Sequence, residues 1–189
     1  MTLLDYTLQV PLPAPLGAGA PFQSYTDPSG DVWVAQGGVF NGAWRRARDV
    51  LVSKVCRVAA LNLTAALLTV QMDGVIRDSF GLYVPSPNGL FNIPLTGWYD
   101  ITYQLGATPT AGNQSFNNRL YSASAGLLAI AQAHSAGTAP LSSVISQQFY
   151  LAAGDWVQTA AVSPNAWPAL TGAAPGYWTY ATLEYRGTG

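Results

Sequence analysis

The sequence predicts an all-β protein, an antiparallel β-sandwich preceded by an extended N-terminal arm. Three observations lead to the sandwich. From residue 58 onward, short apolar or alternating runs recur at intervals of roughly 8–12 residues, divided by Gly, Pro, Asn and Asp. Most runs are rich in aromatic and β-branched residues, which suit a pleated, half-buried surface. No strand–helix–strand alternation appears, and no internal repeat or heptad pattern. Residues 1–30 instead carry Pro11, Pro13, Pro15 and Pro21 with Gly17 and Gly19, which exclude a helix and weaken any strand.

Three segments follow from this. Residues 1–30 read as an extended anchoring arm. "LLDYTLQV" can make a short strand, and "VPLPAP" favours a polyproline-like path. Leu3, Leu4, Tyr6, Leu8, Val10 and Phe22 make the arm too apolar for an ordinary linker, so it is expected to lie along a neighbour. Residues 31–58 read as a strand and loop segment. Asp27-Pro28-Ser29-Gly30 is a turn sequence, because proline presets φ and glycine takes the positive-φ position. "DVWVA" then alternates at the strand period. Arg45, Arg46, Arg48, Lys54 and Arg57 follow, five of the eight basic residues. Their two readings are a docking patch for an acidic neighbour or a phosphate, and a solvated loop paired with Asp49 and nearby acids. Residues 59–189 form the knob. Strands are expected near 63–71, 79–84, 90–94, 97–106, 115–121, 126–132, 143–151, 155–162 and 177–186. In the last of these, Tyr177, Thr179, Ala181, Leu183 and Tyr185 share one face, and Trp178, Tyr180, Thr182 and Glu184 the other.

Composition bounds the function. Charged residues are 9% of the 189-residue chain and hydrophobic residues 49%, with a net charge of −1. A surface so poor in charge is a solubility risk for a free monomer and less of one in an assembly. The charge balance gives no footprint for nucleic acid or an acidic membrane. No apolar run is long enough for a membrane-spanning helix. "MTLLDYTLQVPLPAPLGAGAPF" does not read as a signal peptide, since Asp5 and the prolines break the apolar run, so assembly in a bacterial cytoplasm is expected.

No reactive constellation stands out. His134 is the sole histidine and Cys56 the sole cysteine, which argues against a zinc site, a disulfide or a catalytic triad. Asp73 and Asp78 are read as turn acids, with loop-bound calcium the alternative. Asp155, behind Gly154 in "FYLAAGDWVQTAAV", is read as an acid that accepts backbone N–H bonds at a sharp turn. The expectations are therefore no enzyme activity, no cofactor and no metal.

Three stretches carry a resemblance. "LFNIPLTGWYDITYQL", through Phe91, Pro94, Gly97 and Tyr99, resembles the central strand pair of complement-globular-head and tumour-necrosis-factor-like jelly rolls. "FYLAAGDWVQTAAV", through Leu151, Gly154, Asp155 and Val157, is similar to that family's Leu-x-x-Gly-Asp-x-Val element. "PGYWTYATLEYRG" resembles its closing strand. Together these cover roughly residues 50–189 and imply a jelly-roll fold and a compact homotrimer with aromatics around its axis. Tyr99, Tyr103, Phe149, Trp156, Trp178 and Tyr180 are the candidate interface residues. "DPSGDVWVAQGGVFNGAWRRARDVL" also resembles the N-terminal part of small virion proteins of tailed bacteriophages. That resemblance implies a structural virion protein, a surface knob on capsid or tail. Its arm, with Arg45, Arg46 and Arg48, would attach it to other virion proteins. The alternative is a receptor- or glycan-binding knob of a tail fibre or baseplate, meeting a host-surface glycan through its loops.

Overall fold

The computed structural model describes residues 23–27, 30–35, 44–85, 88–110, 112–164, 167–168 and 178–188. In chain order the elements are β1 (Ser24–Thr26), β2 (Val32–Ala35), β3 (Trp44–Arg46), one helical turn α1 (Ala47–Val50), β4 (Val52–Cys56), β5 (Asn62–Leu63), β6 (Leu68–Thr69), β7 (Gly74–Asp78) and β8 (Tyr83–Val84). There follow β9 (Leu90–Asn92), β10 (Gly97–Ala107), β11 (Gln114–Ser122), β12 (Gly126–Ser135), β13 (Leu141–Leu151), β14 (Trp156–Val162), β15 (Trp167–Pro168) and β16 (Tyr180–Gly187).

Two antiparallel sheets make the sandwich. One has the order β13-β10-β16-β4-β7, the other β12-β11-β14-β9-β8 with β6 added against β14. Neighbours in the first sheet come from distant parts of the chain, as a jelly roll requires. A separate three-stranded sheet, β1-β2-β3, precedes them, and β5 pairs with β15. The expected antiparallel, all-β sandwich is what the chain forms.

The core sits between the two sheets and follows the strand period. On β10 the inward residues Tyr99, Ile101, Tyr103 and Leu105 are fully buried, while Trp98, Asp100, Thr102 and Gln104 point away. Ala181, Leu183 and Tyr185 continue the inward layer from β16, and Phe116, Leu120, Val157 and Phe91 oppose it from the other sheet. Tyr99 and Tyr185 meet edge to face at 5.2 Å. One polar group ties the layers together. Asn118 on β11 is fully buried and donates to the carbonyls of Tyr103 (3.1 Å) and Ser143 (3.2 Å). The Ser143 hydroxyl donates back to Asn118 Oδ1 at 2.8 Å, so the amide is satisfied inside the core.

The 30/31 and 58/59 boundaries do not fall at structural joints. The first lies in the β1–β2 turn, where the Asp31 N–H donates to Asp27 Oδ1 and the Trp33 indole to Asp27 Oδ2, both at 2.9 Å. The second leaves β4 outside the knob, yet β4 lies between β16 and β7 in the five-stranded sheet. The sandwich therefore includes residues 52–56. "VSKVC" alternates at the strand period, but its Lys54 joined it to the basic run and hid that signal. β7 had no counterpart among the expected strands.

Candidate functional site

The outward face of the five-stranded sheet is the candidate site, a surface rather than a cleft. Strand pairing arranges it in bands. At one end Trp98 lies opposite Tyr150 of β13, with rings edge to face at 5.4 Å. The next band is charged. Asp100 is the register partner of both Gln148 and Glu184, and Arg186 pairs with both carboxylates, to Glu184 at 2.9 Å. The middle band carries hydroxyls: Thr102, Ser146 and Thr182, with Thr102 and Ser146 hydrogen-bonded at 3.1 Å. At the far end Gln104 lies between Val144 and Tyr180, and the Lys54 ammonium sits 5.6 Å over the Tyr180 ring. A shallow depression of about 410 Å³ spans the charged and hydroxyl bands.

The apolar members of this face are open to solvent: Trp98 38%, Tyr150 54%, Val144 45% and Trp178 44% exposed. Large apolar side chains left exposed around a polar centre are what an unpartnered interface presents. The charged centre is mostly neutralised within the chain, so a neighbour there would meet few unpaired ions.

The six expected interface residues fall in different places. Trp178 and Tyr180 lie on this face. Tyr99 and Tyr103 do not: both are fully buried in the core of a single chain and cannot reach a neighbour. Phe149 shares the inward face with Tyr99, its register partner, and packs half-buried against the core. Trp156 stands on β14 in the other sheet. Trp98, Tyr150 and Val144 belong to the face and were missed. The signal was present in "GWYDITYQL", where Trp98 shares parity with Asp100, Thr102 and Gln104, and Tyr99 with Ile101 and Leu105.

For the proposed attachment residues, Leu3, Leu4, Tyr6, Leu8, Val10 and Phe22 lie outside the described residues. The arginines are largely engaged within the chain. Arg46 and Arg48 both reach Asp31, at 3.5 and 3.6 Å, and Arg46 lies over the Trp33 ring. Arg45 is exposed. Arg57 donates to the carbonyls of Ala59, Ala60 and Gln71 and pairs with Asp73. Of the two readings of this segment, internal pairing is the one that the structure displays. The acids are Asp31 and Asp73 rather than Asp49.

Asp73, Asp78 and Asp155 are turn acids. The Asp73 carboxylate accepts the N–H groups of Val58 and Ala59, and Asp78 those of Leu82 (2.8 Å) and Tyr83 (3.0 Å). Asp155 accepts the N–H groups of Ala123 (2.8 Å), Ser124 (3.3 Å) and Trp156 (2.8 Å), and the Ser124 hydroxyl. Gly154 before it has φ +86, which glycine adopts without strain. The expected role of Asp155 is correct, but three of its four donors belong to the β11–β12 turn and not to its own. Among the described residues no group of three His, Cys, Asp or Glu could hold a metal ion.

The sequence matches no protein-family model and no curated protein. Solved structures share its fold. Eiger TNF from S. frugiperda superposes with a TM-score of 0.56 at 13% identity, over 74% of this chain and 94% of that one. The globular domain of zebrafish complement 1qA protein gives 0.51 at 16% identity, over 70% and 92%. Murine APRIL at pH 5.0 gives 0.56 at 12% identity, over 71% and 98%. The fold is thus a jelly roll of the TNF and complement-head type.

Proposed function

We propose that this chain is a structural knob of a tailed-bacteriophage particle, assembled from three copies and attached to capsid or tail by residues 1–30. The outward face of the five-stranded sheet carries the assembly part of this reading. Four exposed apolar side chains there surround ions already paired within the chain. The two edges of that sheet also differ. The β13 edge offers Val144 and Tyr150, and the β7 edge offers Val75 and Ile76, 62% and 38% exposed. Unlike patches on opposite edges suit a head-to-tail contact that closes into a ring. The resemblance to the jelly-roll family supports a number of three. The phage setting rests on the likeness of residues 27–51 to small virion proteins and on the apolar arm.

Sedimentation of the full chain at micromolar concentration tests the assembly: three copies are expected, and a stable single copy overturns it. Removing residues 1–24 tests attachment. The truncated knob is expected to keep its trimeric state but lose binding to particles that lack the protein. Binding as strong as that of the full chain overturns the anchoring role.

A further inference from the structure

The six-stranded sheet has an outward face of its own, with a different electrostatic character. Its strands carry a single formal charge, Arg119 on β11. Arg119 lies opposite Ile130 of β12 and Ala160 of β14, near the middle of the sheet, and is half-buried. Among the described residues no carboxylate pairs with it. Its Nη1 donates to the Tyr121 hydroxyl at 3.3 Å, and its Nε–H is buried without a partner among the described residues.

A half-buried guanidinium without a carboxylate is costly, and a partner's carboxylate that meets it through its Nη groups would offset that cost. The guanidinium fork also matches a carboxylate in two-point geometry. The surroundings narrow the source. Leu127 and Ile130 are 45% and 50% exposed, and Leu127 lies opposite Tyr121. Arginine and tyrosine within an aliphatic frame, on the flat of a sheet, make the centre of a protein interface. Small acids and sugars favour concave sites. The 410 Å³ depression lies on the other sheet, and a second of about 240 Å³ lies between Asp31, Arg48 and the end of β16.

We propose that this face docks a partner protein that brings one Asp or Glu carboxylate, flanked by apolar side chains, to Arg119. This docking face is separate from the one proposed above for the association of copies, which is on the other sheet.

The test follows the Arg119 Nε–H and the amides of residues 117–121 and 127–132 by ¹⁵N NMR of the full chain. The probes are acetyl-Leu-Val-Glu-Leu-Tyr-amide, the same peptide with Gln for Glu, N-acetylneuraminic acid and inorganic phosphate. The Glu peptide is expected to shift these resonances and to bind on the order of tenfold more tightly than the Gln peptide. Arg119→Gln, checked for an unchanged urea midpoint, is expected to abolish that preference. Equal responses to the two peptides, or no response to either, overturn the proposal. So does a response confined to the sugar or to phosphate, which would mark an acidic-glycan or simple anion site.

Discussion

Asp155 shows how one charge in a charge-poor chain is used. Burial pushes its carboxyl up. The Ser124 hydroxyl and the N–H groups of Trp156, Ala123 and Ser124 outweigh that and hold it below the ordinary carboxylate range. The unfolded carboxyl titrates near about 3.9. The stability contributed by Asp155 is therefore complete above that value and is lost as pH falls through the lower folded value. Asp155→Asn is expected to cost about 2 kcal/mol near neutral pH, read from urea midpoints. The gap from the native protein should narrow as pH falls from about 4 toward about 2. Asp73, also held below the ordinary range after burial is outweighed by Val58, Ala59 and Arg57, should leave part of the acid sensitivity in the variant. Two core tyrosines make the opposite comparison. The Tyr99 hydroxyl donates to the Leu95 carbonyl at 2.7 Å, whereas the Tyr103 hydroxyl is buried without a partner among the described residues. Tyr99→Phe is expected to lose about 1 kcal/mol, and Tyr103→Phe to be neutral or gain a comparable amount, in the same urea measurement.

At the scale of elements, β10 organises the molecule. It is the strand that pairs β13 on one side and β16 on the other, and its alternation sorts core from surface. Its start is held by a close approach. A Cβ on Gly97 would strike the Gly187 carbonyl oxygen and come within 2.7 Å of Tyr185 Cε2. The β10–β16 ladder shifts register at this point, between Trp98 and Tyr99. Gly97→Ala is expected to destabilise by about 2 kcal/mol or more, since backbone on the far side cannot yield as a flexible side chain would. Hydrogen exchange should show the loss first at the C-terminal end of β16. The three-stranded sheet is a smaller unit held by charge and ring contacts around Asp27, Asp31 and Trp33. Its arginines are thereby largely consumed within the chain.

At the scale of the whole molecule, the two outward faces take the separate tasks proposed for them. On that proposal the five-stranded face meets other copies, and the six-stranded face a different partner. Thr102, at the centre of the first face, isolates its role. Thr102→Arg places a long, bulky side chain where the hydroxyl band would be covered, while it still points away from the core. The variant is expected to sediment as a single folded copy. Its thermal midpoint should not depend on protein concentration, whereas the native midpoint should rise with it. A variant that stays assembled would place the contact elsewhere.

The sequence alone determined the all-β class, the alternation of faces along the long strands and the turn role of Asp155. Each has a local root in strand period, turn chemistry or glycine conformation, although Asp155 takes most of its donors from the β11–β12 turn. It also contained the split between Trp98 and Tyr99, because parity along a strand is written in the chain. What it left open was the sign of that parity. Both faces of β10 and β16 carry aromatics, and only the packing of the second sheet decides which of them is covered. The same holds for the basic segment. Arg46 and Arg48 meet Asp31 only once β2 and β3 pair, and Arg57 meets Asp73 only across the β4–β7 ladder. Tertiary structure decided these matters because burial and charge pairing depend on residues far apart in the chain, whose approach no local pattern records.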